Sequence, residues 1–146
     1  MDTPDYKYSD ITQKIIGCVM KVHSHFFGMG FPEIVYKRTL IIELKAAGLS
    51  LESEVEREIY YQQKLIAKRR LGLIVENKIL VELKVINKIN NRDVNQLLNY
   101  LKVFTIKVGL LLNLGTGSLQ FKRFVYSDKS SKSLKNHLNL QLCLKA

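Results

Sequence analysis

The stretch Leu71-Gly72-Leu73-Ile74-Val75-Glu76-Asn77-Lys78-Ile79-Leu80-Val81-Glu82-Leu83-Lys84-Val85 decides how this chain folds. Two apolar runs flank a polar triplet, and each run has the two-residue period of a strand. Leu71, Leu73 and Val75 share one face of the incoming strand, while Ile79, Val81, Leu83 and Val85 share one face of the outgoing strand. These sets lie on the same side of a sheet only if Val75 opposes Ile79, Leu73 opposes Val81 and Leu71 opposes Leu83. A two-residue turn pairing Val75 with Lys78 would set Leu71 across from Glu82 and scramble the faces. The odd-length loop is therefore expected. It places Gly72 across from Glu82, and Arg70 across from Lys84, on the opposite face. The second of these is a like-charge opposition, unfavourable unless an anion lies between or beside the pair.

Upstream of the hairpin, Val55, Arg57, Ile59 and Tyr61 alternate with Glu54, Glu56, Glu58 and Tyr60, which is strand-like. Gln62-Gln63-Lys64 reads as a turn, so the middle of the chain holds three strands, the second Leu65 to Val75 and the third Ile79 to Ile86. The N-terminal part has a different period. Ser9 or Asp10 can cap a first helix whose apolar stripe is Ile11, Ile15, Val19, Val22 and Phe26, in steps of three and four. Gly28-Met29-Gly30 ends it. Pro32 is expected at the first position of a second helix carrying Val35, Leu40, Ile41 and Leu44, with Gly48 in the C′ position.

Downstream, Asn91 or Asn90 caps a third helix with Val94, Leu97, Leu98 and Leu101 at core spacing. Val108 to Asn113 reads as a buried strand, Gly115-Thr116-Gly117 as a turn, and Leu119 to Tyr126 as a last strand. From Ser127 the chain is rich in Ser and Lys and ends with Leu138, Leu140, Leu142 and Leu144, a tail that could dock as a short strand. The order helix, helix, three strands, helix, two strands predicts an α/β domain: a mixed sheet flanked by helices, with an N-terminal helical hairpin. One domain is expected over 1–127, followed by a basic C-terminal tail at 128–146.

Composition agrees with that organisation. A chain of 146 residues with 47% apolar and 25% charged residues has the profile of one globular domain. Its apolar runs, Val108 to Leu112 among them, are too short to span a bilayer. Met1 to Asp10 is polar and acidic, without the order of a secretion signal. Cys18 and Cys143 lie near opposite ends without metal-ligand neighbours, so neither a zinc site nor a disulfide framework is indicated, and the cytoplasm is the expected location. Twenty-three Lys plus Arg against thirteen Asp plus Glu leave a net charge of +10. Such a balance favours polyanionic partners, nucleic acid above all.

Several side chains could carry chemistry. Glu82 and Lys84, two apart on a strand, project together. A carboxylate can hold a hard cation while a lysine orients or deprotonates an attacking water, the combination that metal-assisted phosphodiester hydrolysis needs. Gln96 and Tyr100 lie four apart on one flank of the third helix, and Glu33 and Tyr36 share a face of the second. His23 lies on the polar-to-apolar boundary of the first helix, where packing or hydrogen bonding suits it better than catalysis.

The blocks Gly30-Phe31-Pro32-Glu33-Ile34-Val35-Tyr36, Glu82-Leu83-Lys84, Gln96-Leu97-Leu98-Asn99-Tyr100-Leu101 and Gly109-Leu110-Leu111-Leu112-Asn113, with His23 ahead of the glycine loop and Leu44 and Gly48 after it, resemble the GxxExxY proteins. The resemblance runs over about residues 11 to 126. Such proteins are similar to the RecB-like branch of the PD-(D/E)XK nucleases, whose restriction-endonuclease-like fold combines a helix glutamate, a strand aspartate, E-x-K and Q-x-x-x-Y. The resemblance implies catalytic roles for Glu33, Glu82, Lys84, Gln96 and Tyr100, with Glu82 and Glu33 holding a weakly bound Mg²⁺ or Mn²⁺. The strand aspartate is the exception: both the alignment and the register arrive at Gly72. A metal held by Glu82 without a second strand carboxylate loses one of few protein ligands. The expectation that follows is a nuclease-like nucleic-acid-binding protein with a degenerate metal site and little or no cleavage. The alternatives are an active Mg²⁺-dependent nuclease with a shifted ligand set, or a protein-interaction module without nucleic acid.

Overall fold

The computed structural model describes residues 7–127, so the expected basic tail and its leucine-rich strand lie outside the described residues. Eight elements follow one another: α1 (Ser9–His25), α2 (Glu33–Ala46), β1 (Leu51–Tyr61), β2 (Lys64–Val75), β3 (Ile79–Lys84), α3 (Asn91–Val103), β4 (Val108–Asn113) and β5 (Gln120–Val125). The strands form one sheet in the order β1-β2-β3-β4-β5. Among the described strands only β3 and β4 pair in parallel, and that joint is where α3 crosses over, as a parallel connection requires. The mixed sheet flanked by helices is the architecture that the element order predicts.

Each sheet face has its own core. Ile15, Val19 and Val22 of α1 and Tyr36, Leu40 and Leu44 of α2 pack with Leu73, Val75, Ile79, Val81 and Leu83. On the other face Val94, Leu97, Leu98 and Leu101 of α3 pack with Ile74, Leu80, Leu111 and Phe124. Among the described residues, no helix is long and apolar enough to cross a membrane.

The helix ends follow local chemistry, with two corrections. Neither Ser9 nor Asp10 caps α1; both are helical, and Tyr8 precedes them in a left-handed conformation (φ 56°) without a side-chain cap. The Tyr8 carbonyl accepts from the N–H groups of Ile11 and Thr12 instead. Pro32 stands one residue before α2 rather than within it. The end of α2 meets expectation: Gly48 has φ +81°, the Leu49 N–H reaches the Leu44 carbonyl at 3.1 Å, and the Gly48 N–H reaches that of Lys45 at 3.0 Å. This double bond pattern satisfies carbonyls that the helix leaves open. Asn90 caps α3 reciprocally with Asp93, each side chain accepting the other's backbone N–H at 3.1 and 3.0 Å.

The central hairpin holds the expected register as far as its ladder runs. Val75 pairs with Ile79 and Leu73 with Val81, around the odd loop of Glu76, Asn77 and Lys78. The ladder then stops, and two expectations fail beyond it. Leu71 is buried in the α3 core while Leu83 belongs to the α1–α2 core, so they do not share a face. The β2–β3 ladder ends at Leu73 and Val81, so Arg70 is not paired with Lys84; its ladder partner is Glu56 of β1. The cause lies at one cross-strand position. β1 and β2 pair Ser53 with Leu73 and Val55 with Leu71, and between these pairs Glu54 takes φ +52° opposite Gly72. Leu51 and Leu73 pack against α1 and α2, whereas Val55 and Leu71 pack on the α3 side. Strand alternation is thus broken once, in both strands, and the outer half of the hairpin turns its face toward α3.

Candidate functional site

Strand alternation along β3 sends Ile79, Val81 and Leu83 into the α1–α2 core, so Glu82 and Lys84 fall on the side of Leu80 and α3. There Lys84 lines a cleft of about 790 Å³ together with Gln96, Tyr100, Arg69 and Arg92. The Gln96 Nε2 donates to the Tyr100 hydroxyl at 3.1 Å, the contact that their four-residue spacing on α3 allows. The Tyr100 ring lies 5.8 Å from that of Phe104.

Glu82 is half-buried, and its Oε1 accepts the Gly72 N–H at 3.1 Å. Burial pushes its carboxyl above the ordinary range; the charge of Glu33 pushes the same way, while the Gly72 N–H and the ammoniums of Lys84 and Lys37 pull it back. Glu33, at the first position of α2, and Lys37, one turn later, therefore both lie within electrostatic reach of Glu82. The Lys37 side chain is only 15% exposed, with its Nζ 3.9 Å from Glu54 Oε1. Of the five expected site residues, Glu33, Glu82 and Lys84 thus share one electrostatic neighbourhood, and Lys84, Gln96 and Tyr100 share one cleft.

A divalent cation at Glu82 would need further oxygen ligands close by. Gly72 stands beside Glu82, where a second carboxylate is needed, but a Cβ built there would lie 2.6 Å from the Val81 carbonyl oxygen. No side chain enters that position unless the backbone moves. Among the described residues, no three His, Cys, Asp or Glu side chains come together as a ligand group. A hard cation takes six or more oxygen ligands, several of them from carboxylates or bound water. Glu82, with Glu33 in electrostatic reach and the Lys37 and Lys84 ammoniums alongside, has no second strand carboxylate beside it at Gly72.

The other singled-out residues have structural tasks. Tyr36 is buried edge-on to Phe26, with centroids 5.5 Å apart. The His23 Nε2 is 2.7 Å from the Thr116 carbonyl oxygen, a hydrogen-bonded histidine as its position suggests. The carboxylate of Glu76 accepts from the backbone N–H and hydroxyl of Ser50 at 3.2 and 3.0 Å, tying the β2–β3 turn to the start of β1. The sequence reading missed Lys37, Arg69 and Arg92. A signal existed for Lys37, which is one helical turn from Glu33. Arg69 enters the cleft only because the hairpin turns at Gly72, which periodicity does not reveal.

No curated protein matches this sequence. Among solved structures, one described as the crystal structure of SSO0001 is similar in fold, with a TM-score of 0.52 and 18% identity over 94% of this chain and 69% of that one. Residues 9–124 match the sequence profile of the PD-(D/E)XK nuclease superfamily. That match runs from the start of α1 into β5 and takes in every residue of the cleft, and the chain belongs to the PD-(D/E)XK nuclease superfamily.

Proposed function

We propose that this chain is a nuclease-superfamily domain that binds nucleic acid through the α3-side cleft and cleaves it weakly or not at all. The observation that carries this reading is the pairing of Gly72 with Glu82: the backbone N–H, rather than a second carboxylate, occupies the carboxylate's partner position, and the Val81 carbonyl closes the space. Lys84, Arg69 and Arg92 around Gln96 and Tyr100 make the cleft suited to phosphates. The GxxExxY likeness of the Gly30–Tyr36, Glu82–Lys84 and Gln96–Leu101 blocks supports placing the chain near the RecB-like branch.

The test is a pair of measurements on the full chain. Thermal melting with and without Mn²⁺ is expected to coincide, and a supercoiled-plasmid nicking assay with Mg²⁺ or Mn²⁺ is expected to show little product, while gel shift at low salt shows complex. Vigorous nicking that Glu82→Ala abolishes would overturn the degenerate reading and establish a shifted-ligand enzyme. Absence of any complex at low salt would favour the protein-interaction module.

A further inference from the structure

The outer β1–β2 hairpin is charged differently on its two faces. Residues paired across a ladder share a face. On one face Glu56 opposes Arg70 and Glu58 opposes Lys68, and the Lys68 Nζ lies 3.5 Å from Glu56 Oε1 on the diagonal. Opposite charges are matched there. On the other face Val55 opposes Leu71, Arg57 opposes Arg69, and Ile59 opposes Ala67. Val55 and Leu71 are buried in the α3 core, and Ile59 and Ala67 are half-buried, so this is the face that turns inward. Two arginines therefore stand directly opposed on it.

Like charges directly opposed weaken a strand pair. Nothing among the described residues relieves this one. Neither guanidinium is within ion-pair distance of a described carboxylate. Each donates to a neighbouring backbone carbonyl, Arg57 Nη1 to Glu56 at 3.3 Å and Arg69 Nη1 to Lys68 at 3.0 Å. A guanidinium has five N–H donors, so most remain for another acceptor. Both arginines line concavities that are themselves basic. Arg69 joins Lys84 and Arg92 in the cleft, where the one carboxylate, Asp93, is engaged in the α3 cap. Arg57 joins Lys78 and Lys107 around a second cavity of about 340 Å³ that no carboxylate lines.

We infer that Arg57 and Arg69 form a cross-strand clamp for the phosphate backbone of a nucleic-acid strand. The strand runs from the Lys84 cleft over the hairpin to the Lys78 and Lys107 cavity. A phosphate between the two guanidiniums converts their repulsion into charge-assisted hydrogen bonds, which a lysine pair would make with less geometric definition. The inference deepens the nucleic-acid reading above and rests on it.

The experiment compares Arg57→Gln, Arg69→Gln and Arg69→Glu with Arg70→Gln, which removes the same charge from the matched face. Fluorescence anisotropy with a short labelled single strand and its duplex reads affinity across a salt series, and thermal melting reads stability. Arg57→Gln and Arg69→Gln are each expected to weaken binding roughly tenfold and to lower the salt slope by about one. Arg70→Gln is expected to stay within about twofold of wild type, since its face carries no phosphate. Arg69→Glu creates an opposed ion pair with Arg57, so it should melt at or above wild type while losing affinity. That combination separates loss of contact from loss of fold. Equal losses for Arg69→Gln and Arg70→Gln would overturn the clamp and leave net charge as the cause. Wild-type binding that Arg57→Gln and Arg69→Gln leave intact would overturn the clamp alone. A wild type that binds neither oligonucleotide at low salt would overturn the nucleic-acid reading and the clamp with it.

Discussion

Glu82 is a carboxylate half out of water, compensated by one backbone N–H and by two ammoniums within electrostatic reach. Burial outweighs that compensation, so its folded carboxyl is harder to ionise than the same group in the unfolded chain. A raised folded pKa means that the native state binds the proton more tightly. The resulting stability is fully present below the ordinary carboxylate range and is lost as pH rises through the folded value. At neutral pH the ionised side chain is a net cost to the fold. Glu82→Gln keeps an oxygen to accept the Gly72 N–H and removes the charge. The variant is expected to melt above wild type at neutral pH, with the difference closing as pH falls below the carboxylate range. Melting temperatures over a pH series check this, and a difference that does not change with pH would show that burial of the charge is not what raises the carboxyl. A site that cannot fully stabilise its own carboxylate is the kind that a bound cation would relieve, yet among the described residues no group of three ligand side chains forms around it.

The outer hairpin owes its direction to the pair Glu54 and Gly72. Glu54 takes a left-handed conformation, which costs a residue with a side chain about 1–2 kcal/mol, and Gly72 lets the Val81 carbonyl approach where a Cβ would collide. Gly72→Ala is expected to lower stability by about 1–3 kcal/mol, as overpacking does. Gly72→Asp should lower it at least as much, without recovery in Mn²⁺. Denaturant melts with and without the metal measure both, and recovery of Gly72→Asp in Mn²⁺ would mean that the strand can reopen to make a carboxylate site. This kink also marks the limit of what the sequence made legible. The element order was readable because hydrophobic period changes between helices and strands, and the odd loop at Glu76 to Lys78 was readable because only one register matches the apolar faces. Counting by twos assumes an unbroken pleat, which puts Leu71 on the face of Leu73 and Arg70 across from Lys84. The break puts Leu71 in the other core and gives the like-charge opposition to Arg57 and Arg69 instead. Glu33, Glu82, Lys84, Gln96 and Tyr100 could be proposed from motif resemblance, whereas Lys37 and Arg69 gain their neighbours only from how elements pack.

At the scale of the whole molecule, a net charge of +10 acts in opposite directions on the free and the bound protein. In the free protein the excess cations repel one another, and Arg57 opposite Arg69 is one local case. Added salt screens that repulsion, over a Debye length of about 10 Å at 0.1 M, so the melting temperature of the free protein should rise with sodium chloride. In the complex, phosphates neutralise the same cations and counterions are released. The binding constant then falls by about 0.9 log units per log unit of salt for each duplex phosphate contacted. Because a ligand stabilises the native state by RT ln(1 + [L]/Kd), the thermal shift produced by a fixed concentration of duplex shrinks as Kd rises. The free protein's melting temperature therefore climbs with salt while the increment due to duplex declines, and the two curves converge. Melting the free chain and the chain with excess duplex across one salt series measures both trends in a single experiment. A free-protein melting temperature that fell with salt would show that self-repulsion does not limit stability. A duplex-induced shift that stayed constant with salt would take phosphate contacts out of the recognition altogether.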